Sequence, residues 1–270
     1  MGNRIISQSK IVLPTIVISD YLQYKFLGHG AEGIVVKYDE KTALKILNSC
    51  RYSEEKIEKK LEKIELLGQL SDESACFPKG IIKDEEGKKI GYTLNLVNPH
   101  PETKNFEELA KLKQLKEKLL YIIQASRDIE RFHKTGLVLG DISGENIMID
   151  ENGKIRFIDT DNWMFGGYKF DIESNRMEIL KKRYSKKLCL EDNDRFLLAL
   201  LAIEIIQGNK IGRIPSDKEF GNIIEKLKVS KETKDGLRSI FSDAHDKPYI
   251  GEILSALSEK EEEALNRFNR

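Results

Sequence analysis

Hydrophobic positions along the chain change their period near residue 100, and that change divides it. The first hundred residues read as strands with one helix. "YLQYKFLGHG" is a strand running into a Gly-rich turn. "GIVVKYDEKTALKIL" is two short apolar runs around Asp39-Glu40-Lys41, the signature of a tight hairpin. "SEEKIEKKLEKIELLGQL" then places Ile57, Leu61, Ile64 and Leu67 at helical spacing with charge between them. Ser53 can cap this helix, although Lys56 stands where a capping-box Glu would be. "KGIIKDEEGKKIGYTLNLV" predicts another hairpin, turning near Gly87.

"NPHPETKN", residues 98–105, gathers two of the six prolines with polar residues and marks the boundary. Beyond it the pattern turns helical. Phe106 to His133 is long enough for two helices. "NIMIDENGKIRFID" is a hairpin with Asn152-Gly153 at its turn. Asp192 to Gln207 predicts a buried helix ended by Gly208. The remainder is helical and polar, with an acidic "EKEEEALNR" near the end and no internal repeat. The expected class is α+β, with a β-rich part over 1–97 and a helical part over 98–270.

Composition narrows the function classes. The 270 residues are 40% hydrophobic and 33% charged, a globular balance. Lys+Arg and Asp+Glu stand at 45 each, which gives neither a nucleic-acid footprint nor a membrane-attracted surface. The three cysteines (Cys50, Cys76, Cys189) form no C-x-x-C and read as free thiols of a reducing cytoplasm. The four His are scattered, without metal-ligand spacing. The longest apolar run, "FLLALLAIEII", is too short to span a bilayer and contains Glu204. The N-terminus has no signal-peptide core, and Ile6 sits where a myristoylation motif needs Ser or Thr.

Three stretches carry candidate chemistry. "GHGAEGIV" sets Gly28, Gly30, Gly33 and Val35 in G-x-G-x-x-G-x-V spacing. A β-hairpin follows it rather than a helix, which favours a loop lying over phosphates, its glycines letting backbone N–H groups approach them. "ALKIL" supplies Lys45 on the next strand, placed to hold the α- and β-phosphates while a helix acid holds it in turn. Glu58, Glu62 and Glu65 are the candidates, and Glu62 is favoured because Leu66 would pack inward one turn later. "GDISGENIMIDENGKIRFIDTD" sets Asp141 and Asn146 in D-x-x-x-x-N spacing, with Asp159 at the end of an apolar strand. Asp141 can take or orient the proton of an attacking hydroxyl. Asn146 and Asp159 can ligate a metal bridging phosphates.

These stretches, with "DNDRFLLALLAIEIIQG", resemble a eukaryotic-type protein kinase domain over nearly the whole chain. The resemblance is closer to a bacterial kinase-like branch that carries G-D-[IV]-[NS]-x-x-N and I-D-x-D-[NS]-[FW], matched here by "GDISGEN" and "IDTDNW". It implies a two-lobed fold with a core over about 22–256: a small antiparallel β lobe, a mainly helical lobe, and ATP in the cleft with Mg²⁺, or Mn²⁺ in its place. It implies that Val35, Ala43 and Met148 sandwich the adenine, that Leu94 is the gatekeeper, and that Asn95 and Val97 offer hinge backbone groups. It implies that Asp194 braces the catalytic-loop backbone from below, with Glu204 and Gly208 in the same helix. "HDKPYIGEIL" resembles the last helix of the family, with Lys247 near the place of an Arg.

The chain departs from the family at several positions. Leu139 and Gly140 replace the His and Arg before the catalytic Asp, so docking of a phosphorylated activation loop is not expected. Ser143 replaces a Lys that neutralises γ-phosphate charge. Thr160 and Asp161 replace the Phe and Gly of D-F-G. Trp163, the only Trp, either fills the space of that Phe or is an ordinary loop aromatic. Asp161 either caps a turn, the favoured reading, or adds a carboxylate near the metals. No A-P-E follows, and "KKRYSKK" reads as a solvated face or a dock for an acidic partner. The expectation is an ATP- and Mg²⁺-dependent kinase acting on Ser or Thr of a protein. A small-molecule kinase and a nucleotide-binding regulatory module are the alternatives.

Overall fold

The computed structural model describes residues 12–30, 32–170, 175–184, 189–227, 229–242 and 247–255. His245, the acidic C-terminal stretch and residues 185–187 of the basic run lie outside them. The protein is α+β. Its chain divides into two compact units, Met1–Val97 and Asn98–Arg270.

The first unit is built on a six-stranded sheet in the order β1-β5-β6-β4-β3-β2. The strands are β1 (Thr15–Val17), β2 (Lys25–His29), β3 (Gly33–Lys37), β4 (Thr42–Leu47), β5 (Gly80–Lys83) and β6 (Lys89–Asn95). Every pairing is antiparallel except β1 with β5. β1 has no counterpart in the periodicity: a strand of three residues directly after a proline is too short to show an alternation. The other strands arise where expected. The β5–β6 turn uses Gly87 at φ +82°, a conformation that costs glycine little.

Helix α1 (Glu54–Leu67) starts at Ser53, whose hydroxyl accepts the Lys56 amide. Its apolar stripe, Ile57, Leu61 and Ile64, packs with Leu47, Ile81 and Tyr92. Leu44 and Ile46 of β4 pack in a second cluster with Ile18, Val36 and Ile82. Strand side chains alternate, so Lys45 shares the parity of Leu47 and faces the α1 side of the sheet.

The second unit runs through a short 3-10 helix (Phe106–Lys111), α2 (Leu115–Lys134), β7 (Ile147–Ile149), β8 (Ile155–Phe157) and a 3-10 turn (Thr160–Asn162). It continues with α3 (Asn175–Tyr184), α4 (Leu190–Gln207), α5 (Asp217–Lys226), α6 (Lys231–Ile240) and a helical stretch over 250–255. The first of the two helices expected over Phe106–His133 is therefore only a short 3-10 segment. Asn105 caps it by accepting the Glu108 amide, and Leu112 ends it in extended backbone.

α4 is apolar almost all round, and it is buried almost all round. Gly208 closes it in the left-handed conformation at φ +75°. Phe196 from α4 meets Phe220 and Phe241 edge-on, which ties α5 and the end of α6 to it. Among the described residues no helix is long and apolar enough to cross a membrane.

Candidate functional site

In the first unit the three loop glycines serve two ends. A Cβ on Gly33 would lie 2.0 Å from the Ile46 carbonyl oxygen, so no side chain fits there. Gly28 and Gly30 have nothing within 4 Å of that position, so a side chain there would meet open space. The Gly30 amide donates to the Gly33 carbonyl at 2.9 Å and holds the turn.

Lys45 is buried, and its Nζ lies 3.6 Å from Glu32 Oε2. Glu32 comes from the glycine-rich turn itself. Its other oxygen, Oε1, accepts from Lys60 Nζ at 2.9 Å and from the Tyr52 hydroxyl at 3.0 Å. Burial, together with the Glu32 charge and hydrogen bond, pushes the Tyr52 hydroxyl up to about 12, so it stays a proton donor at neutral pH.

Glu62, the favoured partner of Lys45, is instead exposed, and so is Glu58, while Glu65 pairs with Lys89 at 2.8 Å. Helical geometry accounts for the difference. The buried face of α1 is Ile57, Lys60, Leu61, Lys63, Ile64 and Leu67. A residue two positions from Lys60 is turned by about 200° and looks the other way. The α1 residue that reaches the Lys45 side of the sheet is therefore a second lysine, and the carboxylate between the two arrives from the loop.

The remaining first-unit positions lie on the sheet. Val35 pairs with Lys45, Ala43 with Leu94 and Thr42 with Asn95. Ala43 is buried, Leu94 packs against the α1 cluster, Asn95 is exposed, and Val97 ends the unit half-buried.

In the second unit Asp141, Asn146 and Asp159 line one small concavity with Asn162 and Trp163. The Asn146 side-chain amide donates to Asp141, to its carbonyl oxygen at 3.1 Å and its carboxylate at 3.2 Å. The Asn146 carbonyl in turn accepts the Ile158 amide at 3.0 Å, which ties the loop to the end of β8, next to Asp159. The hairpin turn between β7 and β8 carries Gly153 at φ +74°, while Asp150 accepts the Asn152 and Lys154 amides. Met148 sits half-buried in β7 opposite Arg156.

Burial pushes the Asp141 carboxyl above the ordinary carboxylate range, against the pull of the Asn146 hydrogen bond and the Arg176 guanidinium. Asp159 is the single non-glycine residue with positive φ among the described residues, at φ 60° and ψ 41°. Such a conformation costs a non-glycine residue on the order of 1 kcal/mol and clusters at functional sites. Asp161 lies inside the 3-10 turn whose N-cap position is Asp159. It is buried, with a carboxylate oxygen within 4.8 Å of one on Asp159. Trp163 is buried between Phe132 and Phe157, at ring distances of 5.0 and 6.2 Å, as part of an aromatic core.

The Leu139-Gly140 departure has a steric cause. Gly140 has φ +75°, and a Cβ there would lie 2.3 Å from the Phe170 ring. Glycine is favoured there, and an Arg before Asp141 would need both a strained backbone and a shifted Phe170 ring. Ser143 uses its hydroxyl oxygen to accept the Asn146 amide at 3.3 Å, which shapes the loop.

Beneath the loop Asp194, fully buried in α4, accepts the Leu139 and Gly140 amides at 2.7 and 2.8 Å. His133 Nε2 lies 3.0 Å from the same carboxylate, and its Nδ1 lies 2.8 Å from the Tyr249 hydroxyl. Arg195 stacks over the Tyr249 ring at 4.3 Å and pairs with Asp192, which also accepts the Lys247 amide. Glu204 accepts the Ile211 amide at 2.9 Å and faces Arg176 at 3.9 Å.

The sequence singled out none of Glu32, Lys60, Tyr52, His133, Arg176 and Tyr249. The one available signal was a charged residue inside a glycine-rich turn, and turns carry solvated charges routinely. No protein-family model matches the chain, and no curated protein is significantly similar to it.

Proposed function

We propose that the protein is an ATP- and Mg²⁺-dependent phosphotransferase of the protein-kinase type, acting on a Ser or Thr hydroxyl of a protein. The observation that carries this reading is the meeting of Asp141, Asn146 and Asp159 at one concavity, with Asp159 held in a left-handed conformation. A mainly antiparallel β unit followed by a helical unit is also what a two-lobed kinase would have.

In this reading Asp141 accepts the proton of the attacking hydroxyl, and burial makes it a stronger base than an ordinary aspartate. Asn146 steadies it. The metal-facing donors fit a hard cation: Asn146 and Asp159 offer oxygen, and a buried Asp161 oxygen lies close to Asp159. The ion would supply neutralisation of the charge that develops on the phosphates. Lys45 would hold the α- and β-phosphates, beneath a loop where Gly28 and Gly30 carry no side chain to keep the phosphates away. Val35, Ala43, Leu94, Asn95, Val97 and Met148 would form the adenine environment.

Gly140 argues for activity that does not depend on loop phosphorylation. Ser143 favours a second reading, a small-molecule acceptor, because the hydroxyl that replaces the expected Lys is engaged with the loop backbone. The test is transfer of label from radiolabelled ATP with Mg²⁺ or Mn²⁺ to a generic basic protein, with Asp141→Ala and Lys45→Ala alongside. Transfer lost in both variants supports the protein-kinase reading. ATP-dependent thermal stabilisation without transfer would refute it for that acceptor and favour the small-molecule acceptor or a binding module.

A further inference from the structure

Glu32 is a buried carboxylate on a turn, and nothing in a phosphate-binding loop of glycines calls for one. It is 8% exposed, although its neighbour Gly30 is open. Two groups from outside the turn grip one of its oxygens, Lys60 from α1 and Tyr52 from the segment that leads into α1. The second oxygen accepts no hydrogen bond and faces Lys45 at 3.6 Å. Burying a carboxylate in a turn is costly, and the cost is offset only where cations and donors surround it. Here they do, and the arrangement aims the spare oxygen at the one lysine of β4.

We propose that Glu32 is the positioning residue for Lys45, so that the acid which orients the phosphate-binding lysine rides on the glycine-rich loop and not on helix α1. This rests on the nucleotide reading given above. Lys60 takes the helix position facing Lys45 and, with Tyr52, holds Glu32 in place. Helix α1 contributes to this arrangement through Lys60.

The test is calorimetric binding of MgATP and, separately, of adenosine to the full chain. The forms compared are wild type, Glu32→Gln, Lys45→Met, the double variant and Tyr52→Phe, each with its melting temperature. Glu32→Gln should weaken MgATP binding by about tenfold, the scale of one lost charge-assisted bond. Adenosine binding should be unchanged, since adenosine has no phosphate for Lys45 to hold. In the Lys45→Met background the same change should weaken MgATP no further, because the carboxylate acts through that lysine. Tyr52→Phe, which leaves every charge in place, should weaken MgATP by a smaller factor and spare adenosine.

The proposal is overturned if Glu32→Gln leaves MgATP affinity within about twofold of wild type. It is also overturned if the loss persists in the Lys45→Met background, or if adenosine binding falls in step. Failure of the nucleotide reading is visible separately, as a wild type that binds neither ligand. Glu32 would then be a structural ion-pair partner, and the positioning role would fall with that reading.

Discussion

Asp194 concentrates more of the candidate site's geometry in one side chain than any other residue. Its carboxylate, with no exposure to solvent, takes the Leu139 and Gly140 amides and faces His133 Nε2. Replacing it by alanine leaves two buried backbone donors and one ring nitrogen without that acceptor. Each stranded group costs about 1–3 kcal/mol, and removing one member of a buried charged network costs about 3–5 kcal/mol. A loss near 4 kcal/mol lowers the melting temperature of a domain of this size by roughly 10 °C. Since domains carry about 5–15 kcal/mol, the fold should survive and the loop should loosen.

Asp194→Asn sharpens the test. An asparagine has one acceptor oxygen where the structure asks for two, and its amide would point a donor at a donor. The expected cost is about 2 kcal/mol, between wild type and alanine. Urea unfolding monitored by circular dichroism measures the total, and amide hydrogen exchange at Leu139 and Gly140 reports the local part. Their protection should drop by about an order of magnitude or more in the asparagine form. An asparagine variant with wild-type stability and full protection at both amides would refute the assignment of Asp194 as the brace of this loop.

Other outcomes follow from the same geometry. Gly140→Ala should destabilise by about 2 kcal/mol or more, from the left-handed backbone and the Phe170 clash, and Phe170→Ala should recover only the clash part in a thermal melt. Asp141 has a raised folded pKa, chiefly through burial, so its ionisation opposes folding as pH rises through that value. Asp141→Asn should therefore melt higher than wild type at neutral pH while transferring no phosphate. If Asp141 is the base of the proposed phosphotransfer, activity should fail on the acid side at a pH above the ordinary Asp range, and Arg176→Gln should move that limb higher still. Asp159→Gly should abolish metal-dependent transfer but keep the backbone conformation, whereas Asp159→Ala should lose about 1 kcal/mol more in urea unfolding.

The two kinds of information in the site were not equally legible in the chain. Asp141, Asn146 and Asp159 are close in sequence and joined by one hairpin. Once the Asn152-Gly153 turn is read, their meeting follows from strand geometry, and the Asn146–Ile158 hydrogen bond completes it. Periodicity shows α4 for a related reason, since a helix apolar on every side has nowhere to go except the core. Pairings between distant side chains obey no such rule. The choice of Glu62 rested on a correct helix and a wrong face, because Lys60 and Lys63 are buried where charge is normally taken as solvated.

What made those lysines invisible also makes them informative. A buried lysine needs a buried partner, and for Lys60 that partner is Glu32 in a turn twenty-eight residues earlier. The same holds for His133, which ends α2 like any polar residue in a last turn, yet faces Asp194 across a span of sixty-one residues. In both places the chain puts a polar group where the local pattern asks for an apolar or solvated one. A buried charge that breaks the pattern of its own helix therefore points to an interaction made elsewhere in the fold. In this protein both such breaks lead to the side chains that hold the candidate catalytic groups, Lys45 and the backbone before Asp141.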